Sequence, residues 1–137
     1  MAKKKILIVD DDADLRAALN IRLRANGYDT DFAADAMSAV AAARKGSPDL
    51  ILLDLGLPGG DGFVVMQRLS AIPALAVIPV IVVSARDKGA NENRVAMAGA
   101  VAYLQKPYND AELLVEVRAA LGDDPPPGET PRRRASD

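Results

Sequence analysis

The chain has 137 residues, of which 17 are basic and 19 acidic, and its formal net charge of −2 argues against a general nucleic-acid-binding surface. It contains no histidine and no cysteine, which excludes imidazole catalysis, phosphohistidine, disulfides and most zinc sites. The length suits one domain. Because half of the residues are hydrophobic but only 4% are aromatic, we expect an aliphatic core.

The apolar runs are all short. The run nearest the N-terminus, from Ile6 to Val9, is too short for the core of a signal peptide. No run approaches the roughly 20 apolar residues that cross a bilayer. We therefore expect a soluble, cytoplasmic protein without a membrane partner.

The first third of the chain alternates predicted strands and helices. A continuous apolar run predicts a buried strand at Lys5–Val9. Apolar residues at helical spacing then predict a helix that starts at Asp14 and ends near Gly27. Polar and apolar residues alternate over 28–33, which is typical of a half-buried edge strand. A second, alanine-rich helix is predicted over 35–46, with its acid first and its bases last.

The same alternation continues to residue 121. A third apolar strand, Leu50–Leu53, ends in Asp54 and a loop rich in glycine and proline. The elements after it are a helix from Gly62, a strand at 80–83, a weak helix near 91–98, a strand at 101–104 and a helix capped by Asn109. Five strands alternating with five helices predict an α/β fold in which a parallel sheet is covered on both faces.

The composition changes after Leu121. Acids, prolines and arginines dominate from there to the C-terminus, and three consecutive prolines forbid a helix. We therefore expect one domain over residues 1–121 and a disordered tail over 122–137.

Five polar residues follow the predicted strands and should meet at one edge of the sheet: Asp10, Asp11, Asp54, Ser84 and Lys106. Taken alone, Asp54 could equally be a solvated loop acid. Clustered carboxylates, however, need a compensating cation, and without histidine or cysteine ligands Mg²⁺ fits best. A metal, a lysine and a hydroxyl around a carboxylate are the parts that phosphoryl transfer requires, and an aspartate can itself be the nucleophile.

Four sequence blocks resemble signatures of the response-regulator receiver domain of two-component signalling. They are "ILIVDDDADLR", "PDLILLDLGLPGGDGF", "PVIVVSAR" and "AYLQKPYN", in the family's order and spacing, and the resemblance covers about residues 4–121. It implies a doubly wound, flavodoxin-like sheet with strand order 2-1-3-4-5. It also implies a signalling switch rather than an enzyme.

The resemblance assigns a role to each matching position. Asp54 would be the phosphoacceptor, and Mg²⁺ would be bound by Asp10, Asp11, Asp54 and the backbone carbonyl of Gly56, with Asp10 acting mainly through water. Ser84 would hydrogen-bond the phosphoryl group and Lys106 would pair with it. Tyr103 would be the switch aromatic, although alone it could be an ordinary strand residue. The Lys106–Pro107 bond matches one that the family usually holds cis.

Nearby residues have plainer interpretations. We expect Asp12 to be a solvated loop acid, Asp14 a helix N-cap and Asp61 a residue that shapes its loop. Gly56 and Arg86 depart from the commonest family pattern at two positions that influence the lifetime of the phosphorylated state.

The leading hypothesis is a stand-alone receiver, phosphorylated by a sensor histidine kinase or phosphotransfer protein. Its output would be a protein target bound at the surface of the fourth helix, fifth strand and fifth helix, without direct DNA binding, by a monomer or weak dimer. The main alternative is a small Mg²⁺-dependent phosphohydrolase that forms an aspartyl phosphate. A degenerate interaction module on the same fold is a third possibility, which the intact set of polar residues disfavours.

Overall fold

The computed structural model of the protein describes residues 3–59 and 61–123. Within them the chain forms five strands: β1 (Lys5–Val9), β2 (Asp29–Ala33), β3 (Leu50–Leu53), β4 (Val80–Ser84) and β5 (Ala100–Gln105). Every neighbouring pair is parallel, in the order β2-β1-β3-β4-β5. The expected doubly wound α/β sheet is confirmed.

The described residues form six helices: α1 (Ala13–Ala25), α2 (Ala36–Gly46), α3 (Gly62–Ser70), α4 (Pro73–Ala76), α5 (Lys88–Met97) and α6 (Asp110–Leu121). Five of them match the predicted helices, and α4 is an additional single turn. It begins at Pro73, whose ring suits the first turn of a helix because no backbone donor is needed there. The predicted fourth and fifth helices are therefore α5 and α6.

Two apolar layers enclose the sheet. Alternate strand residues point to opposite faces, so Leu7 and Val9 of β1 pack in one layer and Ile6 and Ile8 in the other. The first layer includes buried residues of α2, α3 and α5, and the second includes those of α1 and α6. This arrangement leaves the two ends of the sheet open, and polar residues can lie there without being covered by helices.

The helix caps agree with the sequence except at α1. Its N-cap is Asp12, whose Oδ1 accepts hydrogen bonds from the backbone amides of Asp14 (3.0 Å) and Leu15 (3.2 Å). The prediction that Asp14 caps this helix is wrong, because the helix begins one residue earlier, at Ala13. The expectation that Asp12 is a solvated loop acid is wrong for the same reason, since Asp12 takes the cap position. Asp61 caps α3 and Asn109 caps α6, as expected.

Helix α6 ends at Leu121 and is capped by Gly122, which has a left-handed φ of 70°. The side chain of the next residue, Asp123, pairs with Lys4, so the described contacts continue past Leu121. The rest of the predicted tail, 124–137, lies outside the described residues. No helix in the described part of the chain has the length and apolar character to cross a bilayer.

Candidate functional site

Backbone hydrogen bonds place two aspartates side by side at the C-terminal edge of the sheet. The amide of Asp10 donates to the carbonyl of Ala33 (3.1 Å), and the amide of Asp54 donates to the carbonyl of Val9 (2.9 Å). Both contacts extend the pairing of strands that end one residue earlier. Asp10 and Asp54 are 3% and 9% exposed, so little of either residue is in contact with solvent.

A third carboxylate completes an acidic cluster. One carboxylate oxygen from each of Asp10, Asp11 and Asp54 lies within 4.8 Å of the others, and Asp11 is exposed. Three carboxylates this close repel one another unless a cation compensates them. An all-oxygen donor set, partly open to water, suits Mg²⁺, which binds one or two protein carboxylates and keeps several waters. The residues therefore fit the ion that the sequence predicted.

Lys106 supplies a positive charge to the buried pair. Its Nζ lies 2.8 Å from Oδ2 of Asp10 and 3.3 Å from Oδ2 of Asp54. Burial disfavours the ammonium and is the largest single influence on its pKa, but the hydrogen bonds and charges of the two aspartates together outweigh it and raise the pKa of Lys106. Lys106 is held in place because its amide donates to the carbonyl of Ser84 at 2.8 Å. The peptide bond between Lys106 and Pro107 is cis, as the resemblance implied.

The other oxygen of each buried carboxylate accepts from a backbone amide. Oδ1 of Asp10 accepts from Asp12 at 2.9 Å, and Oδ1 of Asp54 accepts from Gly56 at 3.2 Å. Both carboxylates therefore have a fixed orientation before any ligand binds.

Ser84 and Tyr103 are linked through the backbone of one residue, Arg86. The hydroxyl of Ser84, buried at the end of β4, accepts from the amide of Arg86 (3.2 Å), and the hydroxyl of Tyr103 donates to the carbonyl of Arg86 (2.8 Å). Burial is the main reason why the pKa of Tyr103 is raised. The loop after β4 is thus held by the hydroxyl at the sheet edge and by the aromatic residue of β5.

The loop after Asp54 depends on a glycine that the sequence did not single out for this reason. The amide of Gly62 donates to the carbonyl of Leu55 at 2.8 Å. A Cβ atom at Gly62 would lie 2.7 Å from the carbonyl oxygen of Asp54 and 2.9 Å from Cα of Leu55. By contrast, Gly56 is exposed, and a Cβ there would meet nothing within 4 Å. The role of its carbonyl in metal binding stays a prediction.

The structure thus gathers Asp10, Asp11, Asp54 and Lys106 around one point and places Ser84 at the same edge. Sequence reasoning missed Arg16, whose Nη1 donates to the backbone carbonyl of Asp10 at 2.7 Å. The position of Arg16 near the start of a helix, six residues after Asp10, was the only available signal. It does not show which way the side chain points.

A sequence model of the response regulator receiver domain matches residues 6–118. This chain belongs to that family. Among curated relatives of this receiver domain, the DNA-binding response regulator MtrA of Mycolicibacterium paratuberculosis is 39% identical over 126 residues, which cover 90% of this chain and 55% of MtrA. The DNA-binding dual master transcriptional regulator RpaA of Synechocystis is 41% identical over 117 residues, covering 85% of this chain and 48% of RpaA. The chain spans about half the length of these relatives.

Solved structures agree with this assignment. A putative response regulator from Chloroflexus aurantiacus superposes with a TM-score of 0.83 at 31% identity, covering 88% of this chain and 99% of that one. The receiver domain of a Pseudomonas aeruginosa sensor histidine kinase gives a TM-score of 0.81 at 30% identity, covering 89% of this chain and all of that one. That second structure has a magnesium ion coordinated in its active site cleft.

Proposed function

We propose that this receiver domain accepts a phosphoryl group on Asp54 from a phosphohistidine of a sensor histidine kinase or phosphotransfer protein. The observation that carries the proposal is the contact of Lys106 with both buried carboxylates, beside a third, exposed carboxylate. This arrangement provides a nucleophile, a cation site and a fixed positive charge within one cluster.

The transfer is a displacement at phosphorus. A carboxylate oxygen of Asp54 forms a new bond to phosphorus while the P–N bond of the phosphohistidine breaks, and the imidazole leaves with the bonding electrons and takes up a proton. Mg²⁺, held by Asp10, Asp11, Asp54 and the carbonyl of Gly56, would neutralise charge on the phosphoryl oxygens. Lys106 and the hydroxyl of Ser84 would hold the transferred group by an ion pair and a hydrogen bond.

The phosphorylated site would act on the α5-β5-α6 surface. Ser84 ends β4 at the loop before α5, and Lys106 follows β5 at the loop before α6. Tyr103 of β5 contacts the first of these loops through the carbonyl of Arg86. Phosphorylation adds nearly two negative charges beside Lys106, which is enough to bias two states that differ by a few kcal/mol. Met97 and Val101 expose apolar side chains on this surface, 90% and 53% respectively, which suits a protein partner.

We further propose that the domain acts through a separate protein and does not bind DNA. It would do so as a monomer or weak dimer. The relatives named above are DNA-binding regulators, and this chain covers only about half of their length, so their output is not transferred to it. The phosphohydrolase alternative has no support at the position where that enzyme class places its second acid, two residues after the nucleophile, because this position is Gly56.

Mass spectrometry after incubation with acetyl phosphate and Mg²⁺ tests the acceptor. We expect one added phosphoryl group that hydroxylamine removes and that is absent from Asp54→Ala. Asp61→Asn is the matched control, because it changes another acid of the same loop while asparagine keeps the helix cap. A mass increase that persists in Asp54→Ala would refute the assignment.

Backbone chemical shifts test the switch. On addition of Mg²⁺ and beryllofluoride, a phosphoryl mimic, we expect amide shifts to change from Ser84 to about Asn109 as well as around Asp54. Changes limited to the loops that contact Asp54 would show that the α5-β5-α6 surface does not respond.

A further inference from the structure

Arg16 lies in α1 and contacts the backbone of the acidic cluster formed by Asp10, Asp11 and Asp54. Its Nη1 donates to the backbone carbonyl of Asp10 at 2.7 Å, in a partly buried contact. None of the ion pairs found among residues 3–59 and 61–123 involves Arg16. Its guanidinium is therefore directed at a main-chain atom of the site, and no carboxylate accounts for its position.

The bonded carbonyl belongs to the peptide group that joins Asp10 to Asp11. Because a peptide group is planar, a hydrogen bond to its oxygen also fixes the direction in which the backbone of Asp11 begins. Within the described residues, no group donates a hydrogen bond to the carboxylate of Asp11. The placement of this exposed carboxylate therefore depends on the peptide group that precedes it.

We propose that Arg16 is a positioning residue for the Mg²⁺ site, acting through the carbonyl of Asp10 on the carboxylate of Asp11. This inference rests on the proposed function, since it assumes that Asp11 binds the ion. Arg16 is not a ligand, and it carries a positive charge that by itself repels a metal cation. Its contribution is the geometry of the Asp10–Asp11 peptide group.

The charge of Arg16 and its hydrogen bond should have opposite effects on the affinity for Mg²⁺, which makes the proposal testable. By Coulomb's law alone, removing a positive charge near three carboxylates strengthens the binding of a cation. Losing the hydrogen bond that orients Asp11 weakens it, and groups that orient metal ligands typically change metal affinity by about 10- to 100-fold. A weaker affinity for Mg²⁺ after loss of the charge therefore has the sign of lost positioning and not of lost electrostatics.

Calorimetric titration with Mg²⁺ measures the sign of the change in Mg²⁺ affinity. Thermal unfolding first shows that each metal-free variant is folded. For Arg16→Met we expect about 10-fold weaker Mg²⁺ binding than for wild type. Arg16→Lys keeps both the charge and a donor, and we expect it to recover at least half of the lost binding free energy. Arg22→Met is the matched control, because Arg22 lies on the same helix and pairs with Asp110 at 2.6 Å, away from the cluster; its Mg²⁺ affinity should equal that of wild type.

Mg²⁺ binding by Arg16→Met that equals or exceeds wild type would overturn the proposal. The same holds if Arg22→Met loses as much affinity as Arg16→Met, or if Arg16→Lys recovers nothing, because the effect would then be a general weakening of α1. If wild type itself does not bind Mg²⁺, the proposed function fails together with this inference. If wild type binds Mg²⁺ and Arg16→Met binds it equally well, only the positioning role of Arg16 is refuted and the proposed function stands.

Discussion

Asp10 makes a hydrogen bond through each of its polar atoms. Its amide donates to Ala33, its carbonyl accepts from Arg16, and its two carboxylate oxygens accept from Asp12 and Lys106. The adjacent Asp11 is exposed, and its carboxylate has no such contacts among the described residues. Two identical neighbouring side chains thus differ in what they can do: Asp10 holds the geometry of the site, and Asp11 is open to a ligand.

Gly62 is needed because the backbone of the Asp54 loop passes too close for a side chain. For Gly62→Ala, the Cβ would lie 2.7 Å from the carbonyl oxygen of Asp54, so the loop or the start of α3 must move. We expect a loss of about 1–3 kcal/mol in the free energy of unfolding, typical of overpacking. We also expect slower phosphorylation, because the displaced atom belongs to Asp54, the proposed acceptor. Urea unfolding and the rate of phosphorylation by acetyl phosphate measure the two effects.

Gly56→Ala is the control for this prediction. It lies in the same loop, but its added Cβ meets nothing within 4 Å, so we expect nearly wild-type stability. Equal losses of stability in the two variants would show that glycine flexibility, rather than the close approach at Gly62, is what the loop requires.

Among the elements, α5 has few anchors. Its one buried residue is Val95, and the guanidinium of Arg94 lies 3.6 Å from the ring centroid of Phe63 in α3. A cation–π contact of this kind contributes about 0.5–1 kcal/mol at an exposed site. The contact ties the proposed moving helix to the helix that begins directly after the Asp54 loop.

Removing this contact should loosen α5 selectively. For Arg94→Gln we expect hydrogen exchange of the α5 amides to rise about two- to fivefold, the factor that corresponds to 0.5–1 kcal/mol, while amides of β1 and β3 are unchanged. Lys88→Gln is the control, because it removes an exposed pair with Glu92 in the same helix (3.5 Å), and such pairs contribute little. Equal acceleration in both variants would contradict an anchoring role for the stack.

The elements that the sequence predicted well share one property: their pattern is local. β1, β3 and β4 are apolar runs that end in a polar residue, and parallel topology alone brings those ends together. The cap of α1 was misplaced because Asp12 and Asp14 are equally able to cap and differ by only two positions. The contacts of Arg16 with Asp10 and of Tyr103 with Arg86 could not be predicted, because they depend on side-chain directions that only the packed structure determines.

At the scale of the whole molecule, the two ends of the domain are joined at the edge of the sheet opposite the candidate site. Nζ of Lys4 lies 2.6 Å from Oδ1 of Asp123 and 2.8 Å from the carbonyl of Leu121. The hydroxyl of Tyr28 donates to Oδ2 of Asp123 at 2.8 Å. The start of β1, the turn before β2 and the end of α6 therefore meet in one polar cluster.

This cluster predicts a specific loss of stability at high pH. Burial, followed by the hydrogen bond and charge of Asp123, raises the pKa of Tyr28 from 10.0 to about 12. A group that holds its proton more tightly when folded stabilises the fold fully below its unfolded pKa, and this contribution falls as pH rises from about 10 to about 12. At 1.36 kcal/mol per pKa unit, this titration lowers the free energy of unfolding by roughly 2–3 kcal/mol over that range. Tyr28→Phe removes the titrating group and therefore this alkaline loss, but it also removes the hydrogen bond to the charged Asp123, which costs about 1.5–3 kcal/mol near neutrality.

We therefore expect Tyr28→Phe to be less stable than wild type at pH 8, with a difference that shrinks steadily towards pH 11.5. Other groups with raised pKa values, such as Tyr108 and Lys106, titrate in both proteins and cancel in the comparison. Urea unfolding of both proteins at half-unit pH steps gives the difference directly.

Asp123→Asn should shift the alkaline loss to lower pH, because the carboxylate that favours the protonated phenol is gone, while burial of the ring remains. A stability difference between wild type and Tyr28→Phe that stays constant over this range would mean that Tyr28 titrates as it does in the unfolded chain.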